Sequence, residues 1–266
     1  MLCPQLKQNL ETIKTLKSEL DLELSKIEKL FKDLKKGDPL TSLRAERKEL
    51  INKIKEIKNK VNSNINELNT KSLEKPKLAL KQTWRKIYKN WFDKEINISD
   101  IKIPEDYNPE KHFGLIIPGN LTMNEIAMAM RKKFKERGQE VSIDAENLNT
   151  VVNKNDRPTD KSYAILFKNN IEADEDLKGL SADDLEKKGI KGITLKERLL
   201  MEILYFDKTG EHLDSDNYTL CSGSRDSDGD VPRVDWSSKD SKLCVRWYSP
   251  DYSESYLRSR LAVSGF

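Results

Sequence analysis

Apolar residues recur at Leu6, Leu10, Ile13, Leu16, Leu20, Leu24, Ile27, Phe31 and Leu34, in steps of three and four that keep one stripe on a helix. The stripe stops at Lys35-Lys36-Gly37-Asp38-Pro39, where Gly37 can end one helix, Asp38 can cap the next and Pro39 suits a first helical position. A second stripe follows at Leu40, Leu43, Leu50, Ile54, Ile57, Val61, Ile65 and Leu68. Residues 1–70 are therefore predicted to form an antiparallel helical hairpin, a coiled coil whose arms are about 45 Å long at the helical rise of roughly 1.5 Å per residue. One hairpin buries a single seam, so a homo-oligomer assembled through this N-terminal hairpin is expected.

The pattern breaks at Lys71 to Lys77, around Pro76, and residues 71–98 read as a linker and an amphipathic aromatic helix. Trp84, Ile87, Tyr88, Trp91 and Phe92 share one side of that helix, and Lys81, Arg85, Lys86 and Lys89 occupy the rest. Basic and aromatic residues interleaved in this way can grip nucleic acid. Because the aromatics lie on the apolar stripe, packing against the following domain is the favoured reading. From Asn97 to Pro118 the chain carries short β-rich runs, Ile101 to Ile103 and Leu115 to Ile117, and enters a domain expected to span 99–266. Within it Thr122-Met123-Asn124-Glu125 has capping-box spacing and opens a helix through Phe134. Ser162 to Phe167 reads as a buried strand. Ser181 and Thr194 each start a helix, the second with Leu199, Leu200, Ile203 and Leu204 toward the core. Helices followed by a strand-rich end make the fold class α+β.

The period changes to two near the C-terminus. Val234 and Trp236 alternate with Arg233, Asp235 and Ser237; beyond the polar turn Ser238 to Ser241, Leu243, Val245 and Trp247 alternate with Lys242, Cys244, Arg246 and Tyr248. One face is apolar, and the other is expected to be exposed. Its Tyr, Arg, Asp and Ser are the residue types of adaptable binding surfaces.

Here the sequence resembles the variable proteins of diversity-generating retroelements. The resemblance is carried by Leu220-Cys221-Ser222-Gly223-Ser224-Arg225, the Val-Pro-Arg-Val-Asp-Trp and Leu-Cys-Val-Arg-Trp-Tyr strands, and the closing Leu257 to Val263. It implies a C-type-lectin-like C-terminal domain, with a variable region at about 225–260, whose mutated adenines sit in Asn codons ending in a pyrimidine. Such codons reach Asp, Ser, Tyr, Arg, Cys, Gly and His but never Lys, Glu or Trp. The resemblance so implies a ligand-binding variable face of Asp226, Asp228, Asp230, Arg233, Asp235, Ser237, Ser238, Asp240, Ser241, Cys244, Arg246, Tyr248, Ser249, Asp251, Tyr252, Ser253, Ser255 and Tyr256. Lys239, Lys242, Glu254, Trp236 and Trp247 are expected to be fixed.

Composition narrows the alternatives. Charged residues are 35% of the 266 and apolar ones 36%, the balance of long exposed helices, while a net charge of +3 names no partner. No run reaches the length of a membrane span and no secretory signal opens the chain, so a cytoplasmic protein without a membrane span is expected. Cys3, Cys221 and Cys244 lack paired metal spacing; a Cys221 to Cys244 bridge is open, and free thiols are favoured. Asp226-Ser227-Asp228-Gly229-Asp230 offers alternating carboxylates but departs from the calcium-loop pattern, since Val231 and Ser237 stand where that loop needs Gly and Glu. His112 and His212 have no nucleophile or zinc motif beside them and read as surface or loop residues. The expectation is a non-enzymatic protein with no cofactor or metal, whose diversifiable C-terminal face binds an unidentified protein or surface ligand. The alternative is a structural or regulatory interaction module acting through the coiled coil. Nucleic-acid binding through the basic aromatic helix ranks third.

Overall fold

The computed structural model describes residues 4–34 and 40–265; Cys3 and Gly37 to Pro39, where a turn was expected, lie outside them. So do the side chains of Leu6, Leu10, Ile13, Phe31, Leu34, Leu40, Leu43, Ile65 and Leu68. The chain is α+β. It divides into two compact units, Met1–Lys75 and Pro76–Phe266.

In the first unit, helix α1 (Pro4–Leu34) and the first part of helix α2 (Leu40–Phe92) follow the two predicted stripes. Leu16, Leu50 and Ile57 are buried, as the helical period demands. Glu49 is held below its ordinary carboxylate range by its hydrogen bond to Lys53, with a smaller contribution from Lys26 of α1. Leu24, predicted in the seam, is 45% exposed, whereas Glu23 is buried and its carboxylate pairs with Lys26 at 2.7 Å. The predicted linker is also absent as a break: α2 runs without interruption through Pro76. A proline inside a helix removes one backbone donor and crowds the carbonyl four residues earlier, at a cost of about 3 kcal/mol that a long helix can absorb. The boundary between the compact units nevertheless falls at that proline.

The second unit takes the end of α2 into its own core. Leu80, Trp84, Ile87, Tyr88 and Trp91 are buried there with Phe134, Phe167, Leu199 and Val245. The Trp84 indole N–H donates to the Gly114 carbonyl at 3.0 Å, and the Tyr88 hydroxyl donates to the Ile116 carbonyl. A Cβ at Gly114 would stand 2.7 Å from the Leu80 side chain and 2.8 Å from that of Tyr107, so a larger residue there would have to displace both. The compact unit is thus 76–266, longer than the 99–266 predicted.

Strands β1 (His112–Ile117), β2 (Glu140–Ile143), β3 (Lys154–Asn155), β4 (Tyr163–Lys168), β5 (Tyr218–Leu220), β6 (Ser224–Arg225), β7 (Val231–Ser237), β8 (Lys242–Tyr248), β9 (Leu257–Arg258) and β10 (Ala262–Ser264) form three sheets. Their orders are β1-β4-β10, β2-β8-β7-β5-β9 and the ribbon β3-β6. The predicted β7–β8 hairpin is present in antiparallel register, Val234 opposite Val245 and Trp236 opposite Leu243. Ile101 to Ile103 is not a strand. Helices α3 (Met123–Lys135), α4 (Leu148–Val151), α5 (Ala182–Lys187) and α6 (Leu195–Thr209) complete the unit. Thr122, Ser181 and Thr194 cap α3, α5 and α6 through the predicted capping boxes. Among the described residues no helix is long and apolar enough to cross a membrane.

Candidate functional site

Side chains of β7 and β8 alternate between two faces, and each face has its own packing. Val234, Trp236, Leu243 and Val245 enter the main core, with Trp247 partly buried against it. The opposite face carries Val231, Arg233, Asp235, Cys244 and Tyr248, continued by Leu220 of β5, which pairs with Arg233. Leu220, Val231, Leu257 and Ala182 form a second apolar cluster there, roofed by Tyr218, Tyr248, Tyr252 and Tyr256.

Arg233 sits at the centre of that roof. Its guanidinium lies 4.0 Å from the Tyr218 ring centre and 5.3 Å from that of Tyr248, close enough for cation–π attraction, and it pairs with Asp235. Tyr248 packs on Tyr252 at 4.3 Å and Tyr218 on Tyr256 at 5.0 Å, while the Tyr252 and Tyr256 hydroxyls hydrogen-bond at 2.7 Å. That bond pushes the Tyr256 phenol above its ordinary range. The roof is held by backbone as well: the Asp183 N–H donates to the Pro250 carbonyl at 3.0 Å, and the Tyr218 N–H to that of Tyr256 at 2.9 Å.

The predicted variable residues therefore fall into two sets. Arg233, Asp235 and Cys244, expected on an exposed face, are each 5% exposed. The cause is packing on that face: Tyr218 of β5 and Tyr248 of β8 lie over the Arg233 guanidinium, Asp235 pairs with Arg233, and Cys244 sits on β8 between β2 and β7. Ser238, Asp240, Ser241, Arg246, Ser249, Asp251, Ser253 and Ser255 are exposed, and Ser237, Tyr248, Tyr252 and Tyr256 are half-buried. The Arg246 guanidinium comes 3.6 Å from Asp144. Asp228 is exposed, whereas Asp226 and Asp230 are half-buried. The Asp226 carboxylate is turned inward on its own loop, accepting from the backbone N–H groups of Asp228 at 3.0 Å and Asp230 at 2.8 Å. Among the described residues no group of three or more His, Cys, Asp and Glu could hold a metal ion. Cys221 and Cys244 are buried free thiols.

Sequence reasoning missed a buried charge network beneath the sheet. The Asp214 carboxylate receives Arg260 at 2.6 Å and Arg198 at 2.8 Å; Arg198 also pairs with Glu202 at 2.7 Å, and all four side chains are at most 1% exposed. Burial pushes the Asp214 carboxyl up, and the Arg260 and Arg198 charges outweigh it, leaving it below its ordinary value. Arg260 further donates to the carbonyls of Asn170 at 2.8 Å and Ile171 at 2.7 Å. This network fastens the C-terminal segment to α6. His212, read as a surface or loop residue, lies in a loop but is buried, stacked on Trp236 at 3.4 Å and 2.8 Å from Glu202. The sequence signal was faint: Arg198 and Glu202 are four apart on a helix that carries other charged residues as well.

The basic aromatic helix offers little to nucleic acid, because Trp84, Tyr88 and Trp91 are turned into the core and only cations such as Arg85, Lys86 and Lys89 remain outside. Comparison with known proteins finds no family model, no curated relative and no solved structure that matches the chain.

Proposed function

We propose that the protein is a non-enzymatic ligand-binding protein whose C-terminal domain, C-type-lectin-like as the resemblance implies, displays a face diversified by retroelement-driven mutagenesis. The observation that carries this reading is the tyrosine roof around Arg233, built on the face of β7 and β8 that the main core does not use. Tyrosine supplies rigid, amphipathic contact area at low entropic cost, and arginine recognises planar or anionic groups. Around the roof, exposed Ser249, Asp251, Ser253, Ser255 and Arg246 provide adjustable hydrogen-bonding partners. Arg233 and Asp235 serve as the buried keystone that orients Tyr218 and Tyr248, and the ligand meets the half-buried tyrosines and the exposed rim. The reading is tested in the DNA beside the gene. A near-copy of its 3′ end, differing only at adenines and accompanied by a reverse-transcriptase gene, is the expected result; a flanking region without such a copy overturns it.

A specific observation favours a second role for the N-terminal unit, assembly of several copies as a coiled coil. Leu22, Leu24 and Ile51 are 56%, 45% and 38% exposed on its two helices. Replacing all three with Gln in the full chain should convert an oligomer to a monomer in light scattering, and a wild-type monomer at micromolar concentration removes this role.

A further inference from the structure

A cavity of about 70 Å³ lies between the end of α5 with its following loop and the β3–β6 ribbon, apart from the tyrosine rings and the exposed rim of the display face. Lys154, Lys191 and Arg225 line it against Asp156 and Glu186, an excess of one positive charge. Arg225 is the fixed member. Its Nη1 donates to the Ser222 carbonyl at 2.7 Å and the Ser224 carbonyl at 3.0 Å, which clamps the plane of the guanidinium. The side chain is only 15% exposed, yet the carboxylate paired with its Nη2 is Glu186 at 3.9 Å, and Glu186 is itself 77% exposed. A largely buried guanidinium held in place, with so distant a counter-charge, is poised for an anion.

We propose that this cavity binds a small oxyanion, of carboxylate or phosphate chemistry, with Arg225 as the anchor and Lys154 and Lys191 as flanking cations. A space of about 70 Å³ with one anchoring guanidinium suits a small oxyanion such as acetate or inorganic phosphate. Nη2 donates to the anion, and the ammonium groups add charge without fixed geometry. Glu186, at the outer limit of an ion pair, swings outward as the anion enters.

The test is a titration of the full-length, ¹⁵N-labelled protein with inorganic phosphate and, separately, acetate, each against sodium chloride at matched ionic strength. The expected result is saturable amide shifts at 154–156, 189–191 and 222–225, given by phosphate, by acetate or by both, which identifies the oxyanion. Arg225→Gln should weaken binding at least about ten-fold, the scale of a charged hydrogen bond. Lys154→Gln should weaken it and Glu186→Gln tighten it by about two- to five-fold, the range for exposed charges. Glu186 is a surface side chain, so the gain on Glu186→Gln keeps the test decisive even where Arg225→Gln disturbs the fold. Shifts that stay linear with concentration, that spread over surface lysines, or that survive in Arg225→Gln while Glu186→Gln changes nothing overturn the proposal. A ligand-binding failure of the tyrosine roof leaves this result untouched.

Discussion

The two faces of the β7–β8 hairpin share one backbone and one register but are held by different physics. On the core face Val234, Trp236, Leu243 and Val245 lose water to other apolar groups, and their stabilisation scales with area. On the other face Arg233 and Asp235 are equally hidden, but by each other and by the Tyr218 and Tyr248 rings over Arg233. Burial alone does not separate them. What differs is the consequence of change: an apolar side chain can shrink and leave a cavity, whereas an ion pair that loses one member leaves an uncompensated charge.

The largest expected effect removes the support of the core face. A chain starting at Asn97 lacks Trp84, Tyr88 and Trp91, each worth about 3 to 5 kcal/mol on truncation, against a typical total stability of about 5 to 15 kcal/mol. It should show no cooperative unfolding transition by circular dichroism, while a chain starting at Pro76 melts cooperatively; a folded Asn97 chain would show that α2 is dispensable to the core.

Next come single changes on either face. Trp236→Ala should cost about 3 to 5 kcal/mol as an emptied aromatic site, and Arg233→Ala about the same because Asp235 is left buried and unpaired. The two should part in the double variant: Arg233→Leu with Asp235→Leu recovers most of the loss in urea unfolding, as apolar pairs replacing buried ion pairs do. Additive losses in that double variant would mean Arg233 and Asp235 act independently.

Much of this was legible in the sequence and some was not. The capping residues Thr122, Ser181 and Thr194 and the period-two alternation of 233–248 each depend on neighbours a few residues away, which a sequence displays directly. The burial of Arg233 depends on Tyr218 and Tyr248, each 15 residues away, and that of Cys244 on the place of β8 between β2 and β7, long-range events that alternation cannot express. The same holds for Asp214, whose partners Arg198 and Arg260 lie 16 and 46 residues away. Pro76 misled in the opposite direction, since a local breaker was overridden by the helix on both sides.

Smaller still is the effect on the open side of the outer face. Simultaneous Ser238→Tyr, Asp240→Ser and Arg246→Ser should move stability by no more than about 0.5 kcal/mol per site in the same assay, as surface changes do. A loss near that of Arg233→Ala would place these residues in the covered set.

The smallest effect is electrostatic and sits at the head of α3. Glu125 is held at about 2, by its hydrogen bond to Lys94 first and then by the Thr122 N–H. A depressed carboxyl stabilises the fold above its unfolded value, near 4.5, and that contribution is lost as pH falls from there through about 2. The difference in melting temperature between wild type and Glu125→Gln should therefore shrink toward zero over that window and stay constant above it. A difference independent of pH would assign the role of Glu125 to shape alone.

The most direct test of the display function is position-resolved sequencing of this gene across a natural population. The account predicts substitutions concentrated at Ser237, Asp240, Ser241, Arg246, Tyr248, Ser249, Asp251, Tyr252, Ser253, Ser255 and Tyr256, with Trp236, Lys239, Lys242 and Trp247 unchanged and with Arg233 and Asp235 changing rarely or together. Substitutions spread evenly along the gene, or concentrated in 4–75, would contradict it.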